Sequence, residues 1–302
     1  MATTDHGILV GYDGSLSSQE AVHWAAQEAR ERGVMLTVCH AWTPGDAGPP
    51  LGPGEDPAQE SAQWILSAAV PNPDLAQVRH VLVEGPVARV LCEQSGDADM
   101  LVVGSRSLEG LSGLLLGSVS LQVAARASVP VVVVRGHWHP AGGHLPGHVV
   151  VGFDGSPAAE AALRFAGTEA ALHRVPLTAV CALADAPGDL AAAPLIAEDF
   201  ERSVITWEKD HPEVELHRQV TGASARHALL TAAQDAQLLV VGDRGRGGLA
   251  RMALGSIATA LLSHAPCPVA VVHAPLNHRA RLGKLANGRQ PTSRAHRHRP
   301  PP

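Results

Sequence analysis

Two aspartates and two glycine-rich loops are the parts of this 302-residue sequence best suited to chemistry. Asp13 stands in "LVGYDGS" and Asp154 in "VVGFDGS". Each is followed, later in the chain, by a loop of related design. Residues 240–258 read "VVGDRGRGGLARMALGSIA", which contains G-x-x-G-x9-G-S from Gly242 through Gly245 to Gly255 and Ser256. Glycines let backbone N–H groups approach an anion closely. A helix beginning at the Gly-Ser pair would add exposed N–H groups and the positive end of its dipole, and the Ser256 hydroxyl one more donor. An acidic residue ending a strand can accept from a ribose hydroxyl or an adenine amine, or hold Mg²⁺. The chemistry these groups suit is the binding of a phosphorylated nucleoside.

The earlier loop, residues 102–120, reads "VVGSRSLEGLSGLLLGSVS" and aligns with the later one without a gap. Gly104, Gly117 and Ser118 match Gly242, Gly255 and Ser256, but Ser107 stands where the later loop has Gly245. If that position needs a positive φ, serine strains the loop by about 1 kcal/mol. Arg244, Arg246 and Arg251 surround the later loop, against Arg106 and Glu109 in the earlier one. Attraction for a polyphosphate should therefore favour the later site, most of all at low salt. The same arginines could equally be a solvated loop face. Rival motifs fail: there is no G-x-x-x-x-G-K-[ST], and "GRGGLA" lies inside the loop with no acidic residue about 20 positions on.

The elements that must position these residues come in two copies. "ILVGYDGSLSSQEAVHWAAQEARERGVMLTVCHAW" recurs as "VVVGFDGSPAAEAALRFAGTEAALHRVPLTAVCAL", and "VPVVVVRG" as "CPVAVVHA". The period is the size of a whole domain. In the first copy, short apolar runs predict strands near Gly7–Tyr12, Met35–Ala41, Val78–Val83, Met100–Val103 and Val131–Val134. Helices are expected near Ser17–Arg32, Pro57–Ala69, Val87–Ser95 and Ser118–Ala127, the first capped by Ser15 or Ser17 and ended by Gly33. The wholly apolar strands should be covered on both faces. Alternating strands and helices give an α/β architecture of two tandem doubly wound domains, each with a five-stranded parallel sheet. With strand order 3-2-1-4-5, Asp154 and Gly242 end the two strands that flank the switch point, where ligands bind. The expected domains are residues 1–136 and 148–274, with a linker at 137–147 and a basic, disordered tail at 275–302.

The pairing of "VGxDGS" with G-x-x-G-x9-G-S and then "HAPCPVAVV" resembles the universal stress protein family in both halves, and the chain is similar to its tandem, actinobacterial members. The resemblance implies domains that pair through their last strands. It also implies two subclasses, of which one binds ATP through the glycine motif. Carried over, it places Asp154 on the adenine or ribose side and the Ala182 backbone against adenine. Gly242, Gly245, Gly255 and Ser256, with Arg244 beside them, would face phosphates and ribose. Asp13, Ala41, Gly104, Gly117 and Ser118 are the corresponding set in the first half.

Composition narrows the alternatives. Aromatics are 3% of the chain, so the cores must be built from Val, Leu, Ile and Ala. No apolar run approaches the roughly 20 residues of a membrane span, and no signal peptide opens the sequence, so a cytoplasmic protein is expected. Cys39, Cys92, Cys181 and Cys267 show no metal-type spacing and read as buried hydrophobes. His137, His139, His144 and His148 in the linker lack organising partners and read as solvated, so no metal site is assigned. The tail carries seven basic and no acidic residues, but no aromatic for base stacking, so nucleic acid is not the expected partner. No nucleophile-base set adjoins the loops, and the only lysines are Lys209 and Lys284. The expected function is ATP binding as a regulatory or sensing ligand, by an intramolecular pseudo-dimer, with Mg²⁺ as a further candidate ligand and further self-association open. The alternatives are a slow Mg²⁺-dependent ATPase using the same crevice, or an interaction module that binds no nucleotide.

Overall fold

The computed structural model describes residues 7–44, 57–69, 77–105, 116–135, 147–184, 192–246 and 254–274. The expectations for the linker histidines 137, 139 and 144, for the tail, and for Arg106, Ser107, Glu109 and Arg251 fall outside them.

The first half runs β1 (Ile8–Gly11), α1 (Leu16–Arg32), β2 (Leu36–Trp42), α2 (Pro57–Ser67), β3 (Val78–Glu84), α3 (Val87–Gln94), β4 (Met100–Gly104), α4 (Ser118–Arg126) and β5 (Val131–Val134). The second repeats the plan as β6 (His148–Phe153), α5 (Pro157–His173), β7 (Leu177–Ala182), α6 (Ala192–Asp210), β8 (Leu216–Thr221), α7 (Ala225–Ala232), β9 (Ala236–Gly242), α8 (Ser256–His264) and β10 (Val269–Val272). Strand order is β3-β2-β1-β4-β5 in one half and β8-β7-β6-β9-β10 in the other. Every pairing within a half is parallel. The halves join through β5 and β10, which pair antiparallel with Val133 opposite Val269 and Val131 opposite Val271. The result is one ten-stranded sheet.

Local sequence explains the helices nearest the crevices. Ser15 caps α1 by accepting the Ser18 N–H at 3.1 Å, and Gly33 ends it in the left-handed region at φ 68°. Ser156 caps α5 by accepting the Ala159 N–H at 3.1 Å, with Pro157 at the first helical position. Gly104 and Gly242 do structural work at the strand ends. A Cβ on Gly104 would lie 2.6 Å from the Ser17 backbone, and one on Gly242 would lie 2.8 Å from the Ala158 Cβ. Each glycine thus lets the helix after the aspartate seat directly on the strand before the loop.

The central strands are buried, as their apolar runs predict, but the edges differ. β3 and β8 are only partly covered, and Val220 on β8 is exposed. An edge strand lacks a neighbour on one side, and the three consecutive polar residues His217, Arg218 and Gln219 suit an exposed position on β8. Cys39, Cys181 and Cys267 are buried free thiols, and Cys92 is partly buried. Burial pushes Cys39 and Cys267 up to about 12 and Cys181 up to about 11, so none is a thiolate at neutral pH.

Two polar clusters tie the halves together. At the end of β5, the Arg135 guanidinium donates to the Leu262 carbonyl in the last turn of α8, where a cation is favoured. His273 holds the corresponding place after β10, near the Ala124 and Val129 carbonyls of the first half. Both of its ring nitrogens are buried without a hydrogen-bond partner. Burial pushes the imidazole below its ordinary range, with Arg244 acting the same way and Asp243 and the Ala124 and Val129 carbonyls opposing. A depressed histidine contributes stability above its unfolded value, near 6.5, that is lost as pH falls through the folded value. Glu169 and His173, both raised, act in the opposite sense over the same range, so the His273 contribution is read as a difference: on acidification from pH 7.5 to 5.5, His273→Gln should lose less melting temperature, or gain more, than the parent. An unchanged pH profile in this variant would count against the assignment.

The second cluster lies between α1 and α5. Glu28 and Glu169 are 3% and 1% exposed at the side chain. Arg32 donates Nε to Glu28 Oε1 at 2.8 Å and Nη2 to Glu169 Oε1. His173 Nε2 lies 2.9 Å from Glu28 Oε2 and 3.8 Å from Glu169 Oε2. Burial raises Glu28, but the hydrogen bond and charge of His173, with Arg32, hold it below the usual carboxylate range. Burial, then repulsion from Glu28, pushes Glu169 up to about 8.

Candidate functional site

Within each half the parallel strands all end on one side, and the order reverses between β1 and β4 and between β6 and β9. In the second half, Asp154 follows β6, Gly242 ends β9 and Ala182 ends β7. These three predicted residues share the same edge of the sheet. Gly255 is the N-cap of α8 and Ser256 its first residue, so the helix opens at the same end as the loop that follows β9.

Asp154 links these parts. Its Oδ1 accepts the Ser156 N–H at 3.0 Å, forming the tight turn after β6. Its Oδ2 accepts the Arg246 N–H at 2.9 Å, from the glycine loop 92 positions later. The Ser156 hydroxyl donates to the Arg244 carbonyl at 3.3 Å, a second stitch between turn and loop. The base of the loop is closed by the Gly255 N–H, which donates to the Asp243 carbonyl at 2.8 Å.

Gly245 has no positive φ, unlike Gly155 at 76°, so the expectation of a left-handed backbone there is corrected. The requirement is one of approach. A Cβ at Gly245 would drive into Asp154 Oδ2, nearer than real Cβ contacts come. Glycine is needed because the loop backbone passes over the carboxylate.

The two arginines described at the loop are already paired. Arg244 Nε donates to Asp243 Oδ2 at 3.0 Å, and Asp243 is 2% exposed. Arg246 Nη2 donates to Asp199 Oδ2 at 3.3 Å, with both side chains 36% exposed. Asp199, Asp243 and Ser156 are site neighbours that sequence reasoning missed. For Ser156, the shared "DGS" was an available signal. Asp199 lies on α6, outside the repeated motifs.

The helix ends add an independent feature. Helices α1, α5 and α7 are capped by the side chains of Ser15, Ser156 and Ser224, whereas α4 and α8 begin at Gly117 and Gly255, like α3 at Pro86, with no side-chain cap. Their first N–H groups are thus not claimed by a neighbouring hydroxyl or carboxylate.

The first half presents the same frame. Asp13 Oδ1 accepts the Ser15 N–H at 3.0 Å, and the Gly117 N–H donates to the Ser105 carbonyl at 2.9 Å. Gly104 ends β4, Ala41 lies near the end of β2, and Ser118 begins α4. Ser105 replaces the buried acid Asp243, and its hydroxyl lies 3.5 Å from that of Ser17.

Fold and site together define a tandem doubly wound α/β protein in which, at each switch point, an aspartate turn after one strand lies beside the glycine that ends the next. The model of the universal stress protein family matches residues 6–135 and 147–273. A universal stress protein from Mycolicibacterium smegmatis is 36% identical over 294 residues, covering 90% of this chain and 98% of that relative. Another, from Mycobacterium tuberculosis, is 35% identical over 288 residues, covering 88% and 96%. Among solved structures, a universal stress protein from Archaeoglobus fulgidus superposes with TM-score 0.66 at 22% identity, covering 89% of this chain and 97% of that one. The chain belongs to the universal stress protein family, with two tandem copies of its domain. No helix among the described residues is long and apolar enough to cross a membrane.

Proposed function

We propose that this tandem universal stress protein binds ATP as a regulatory or sensing ligand, in the crevice closed by the glycine loop of its second half and more weakly in the first. The observation that carries this reading is the double engagement of Asp154. One carboxylate fixes the turn after β6 and the glycine loop after β9, while the uncapped start of α8 supplies donors for phosphate. Gly242, Gly245, Gly255 and Ser256 line the phosphate path, Ala182 offers the adenine-side backbone, and Arg244 and Arg246 exchange their carboxylate partners for phosphate oxygens. In the first half, Asp13, Ala41, Gly104, Gly117 and Ser118 take the corresponding roles.

Mg²⁺ fits only as a companion of the nucleotide. Each Asp154 oxygen already accepts a backbone N–H, so the phosphates would have to supply the metal's main ligands. Binding without turnover is favoured because both oxygens of Asp154 are committed to holding backbone. A cytoplasmic location suits such a ligand.

Isothermal titration of the full chain with ATP tests the reading. Saturable binding is expected, and Asp154→Ala should weaken it by about 10-fold or more, the scale for losing hydrogen bonds to a charged group. No heat with ATP, ADP or AMP would overturn it. Steady phosphate release dependent on Mg²⁺ would favour the ATPase alternative instead.

A further inference from the structure

The buried cluster between α1 and α5 is left unused by the nucleotide reading. Glu28, Glu169 and His173 come from different halves of the chain, yet each offers a ligand atom within 4.8 Å of the others. The Arg32 guanidinium occupies Oε1 of both carboxylates. That leaves the two Oε2 atoms, with His173 Nε2 between them at 2.9 and 3.8 Å. Glu169 Oε2 is buried and has no hydrogen-bond partner, in a side chain only 1% exposed. An unsatisfied buried carboxylate oxygen is costly, and a structure that retains one asks for a partner.

We propose that Glu28 Oε2, Glu169 Oε2 and His173 Nε2 form an interdomain site for a divalent transition cation of the zinc type. Ligands at about 2.0–2.1 Å around a tetrahedral ion lie roughly 3.3 Å apart. The present separations of 2.9 and 3.8 Å bracket that edge, so opposite shifts of about half an ångström bring both histidine–carboxylate edges to it, and the third edge lies within 4.8 Å. Imidazole with two carboxylates is a mixed nitrogen and oxygen donor set that zinc accepts and Mg²⁺ or Ca²⁺ does not favour. A cavity of about 50 Å³ adjoins the cluster, lined by Trp24, Gln27, Glu28, His173, Gln237 and Leu238. It has room for a water as fourth ligand. Arg32 acts from behind, holding both carboxylates so that their second oxygens face His173. The ion would clamp α1 to α5 and thereby one half to the other.

The test uses the full chain, freed of metal by chelation, with His137, His139, His144, His278, His296 and His298 changed to glutamine to silence other histidines. Titration with zinc sulfate should show one equivalent bound and a rise in melting temperature. Co²⁺ in its place should give the strong visible absorption of a tetrahedral site. Glu169→Gln and His173→Gln should each abolish both signals while keeping the parent's circular dichroism. Crystals of the parent soaked in zinc should show an anomalous peak among the three side chains, a readout that needs no variant to fold. No saturable zinc in the parent, equal binding in both variants, or a peak elsewhere would overturn the assignment.

Discussion

Gly255→Asp is expected to lower ATP affinity by about 100-fold or more while leaving the fold intact. The backbone at Gly255, φ −67° and ψ 152°, is open to any residue. Aspartate is also among the best N-caps, so α8 should not suffer. The new Cβ would sit 3.2 Å from the Asp243 carbonyl, which a small adjustment relieves. The damage is to the ligand. The carboxylate would take the N–H groups that the proposed phosphate uses. It would also set a like charge beside it, costing about 4 kcal/mol at 4 Å with an effective dielectric near 20. Gly117→Asp should cost less overall, because the first half supplies less affinity to lose. It has Ser105 where the second half has the Asp243–Arg244 pair, and Ser107 where it has Gly245. Titration calorimetry on both variants decides the ranking. Equal losses, or a larger loss at Gly117, would contradict it.

The largest stability effect is expected from Glu28→Ala in metal-free protein. The substitution removes the carboxylate that accepts from both Arg32 and His173, at 2.8 and 2.9 Å. The Arg32 guanidinium and the His173 imidazole would then be left in a buried interface with only Glu169 between them. Breaking a buried ion cluster from one side costs about 3–5 kcal/mol, most of it the desolvation of the charge left behind. Glu93→Ala is the matched control. It removes the Arg89–Glu93 pair, of the same i,i+4 type but 73% and 59% exposed, and should leave the urea midpoint unchanged. A Glu28 variant as stable as the Glu93 variant would mean that solvent reaches the cluster freely.

How much of this was legible in the sequence depends on the distance over which each signal acts. Caps at Ser15 and Gly33 and the apolar runs of the central strands are local features, and they placed the elements within a residue or two. Alternating strands and helices pointed to a parallel sheet in each copy, and the resemblance to the universal stress protein family implied that the two copies pair through their last strands. Burial of β3 was overestimated because an apolar run does not say whether its strand has a neighbour on both sides. Gly245 was recognised as special for the wrong reason. Whether a glycine serves a turn or a close approach depends on what crosses it, and here that is a carboxylate 91 positions earlier in the chain. For the α1–α5 cluster the signal was slight: Glu28 falls on the apolar stripe of its helix and aligns with Glu169 in the repeat, but nothing local says that the two helices meet. The cluster's partners lie 137 and 145 positions apart.

The antiparallel β5–β10 seam has a consequence for how this molecule can change. In an assembly of two identical chains, every substitution at a symmetric joint is made twice, so a position meeting its own copy must be compatible with itself. Here the two sides of the joint are written separately. Arg32 faces the cluster from one half and His173 from the other, and Arg135 is answered by His273. One side of the seam can keep a permanent charge while the other titrates. The joint also holds at any dilution, because its partner strand arrives on the same chain.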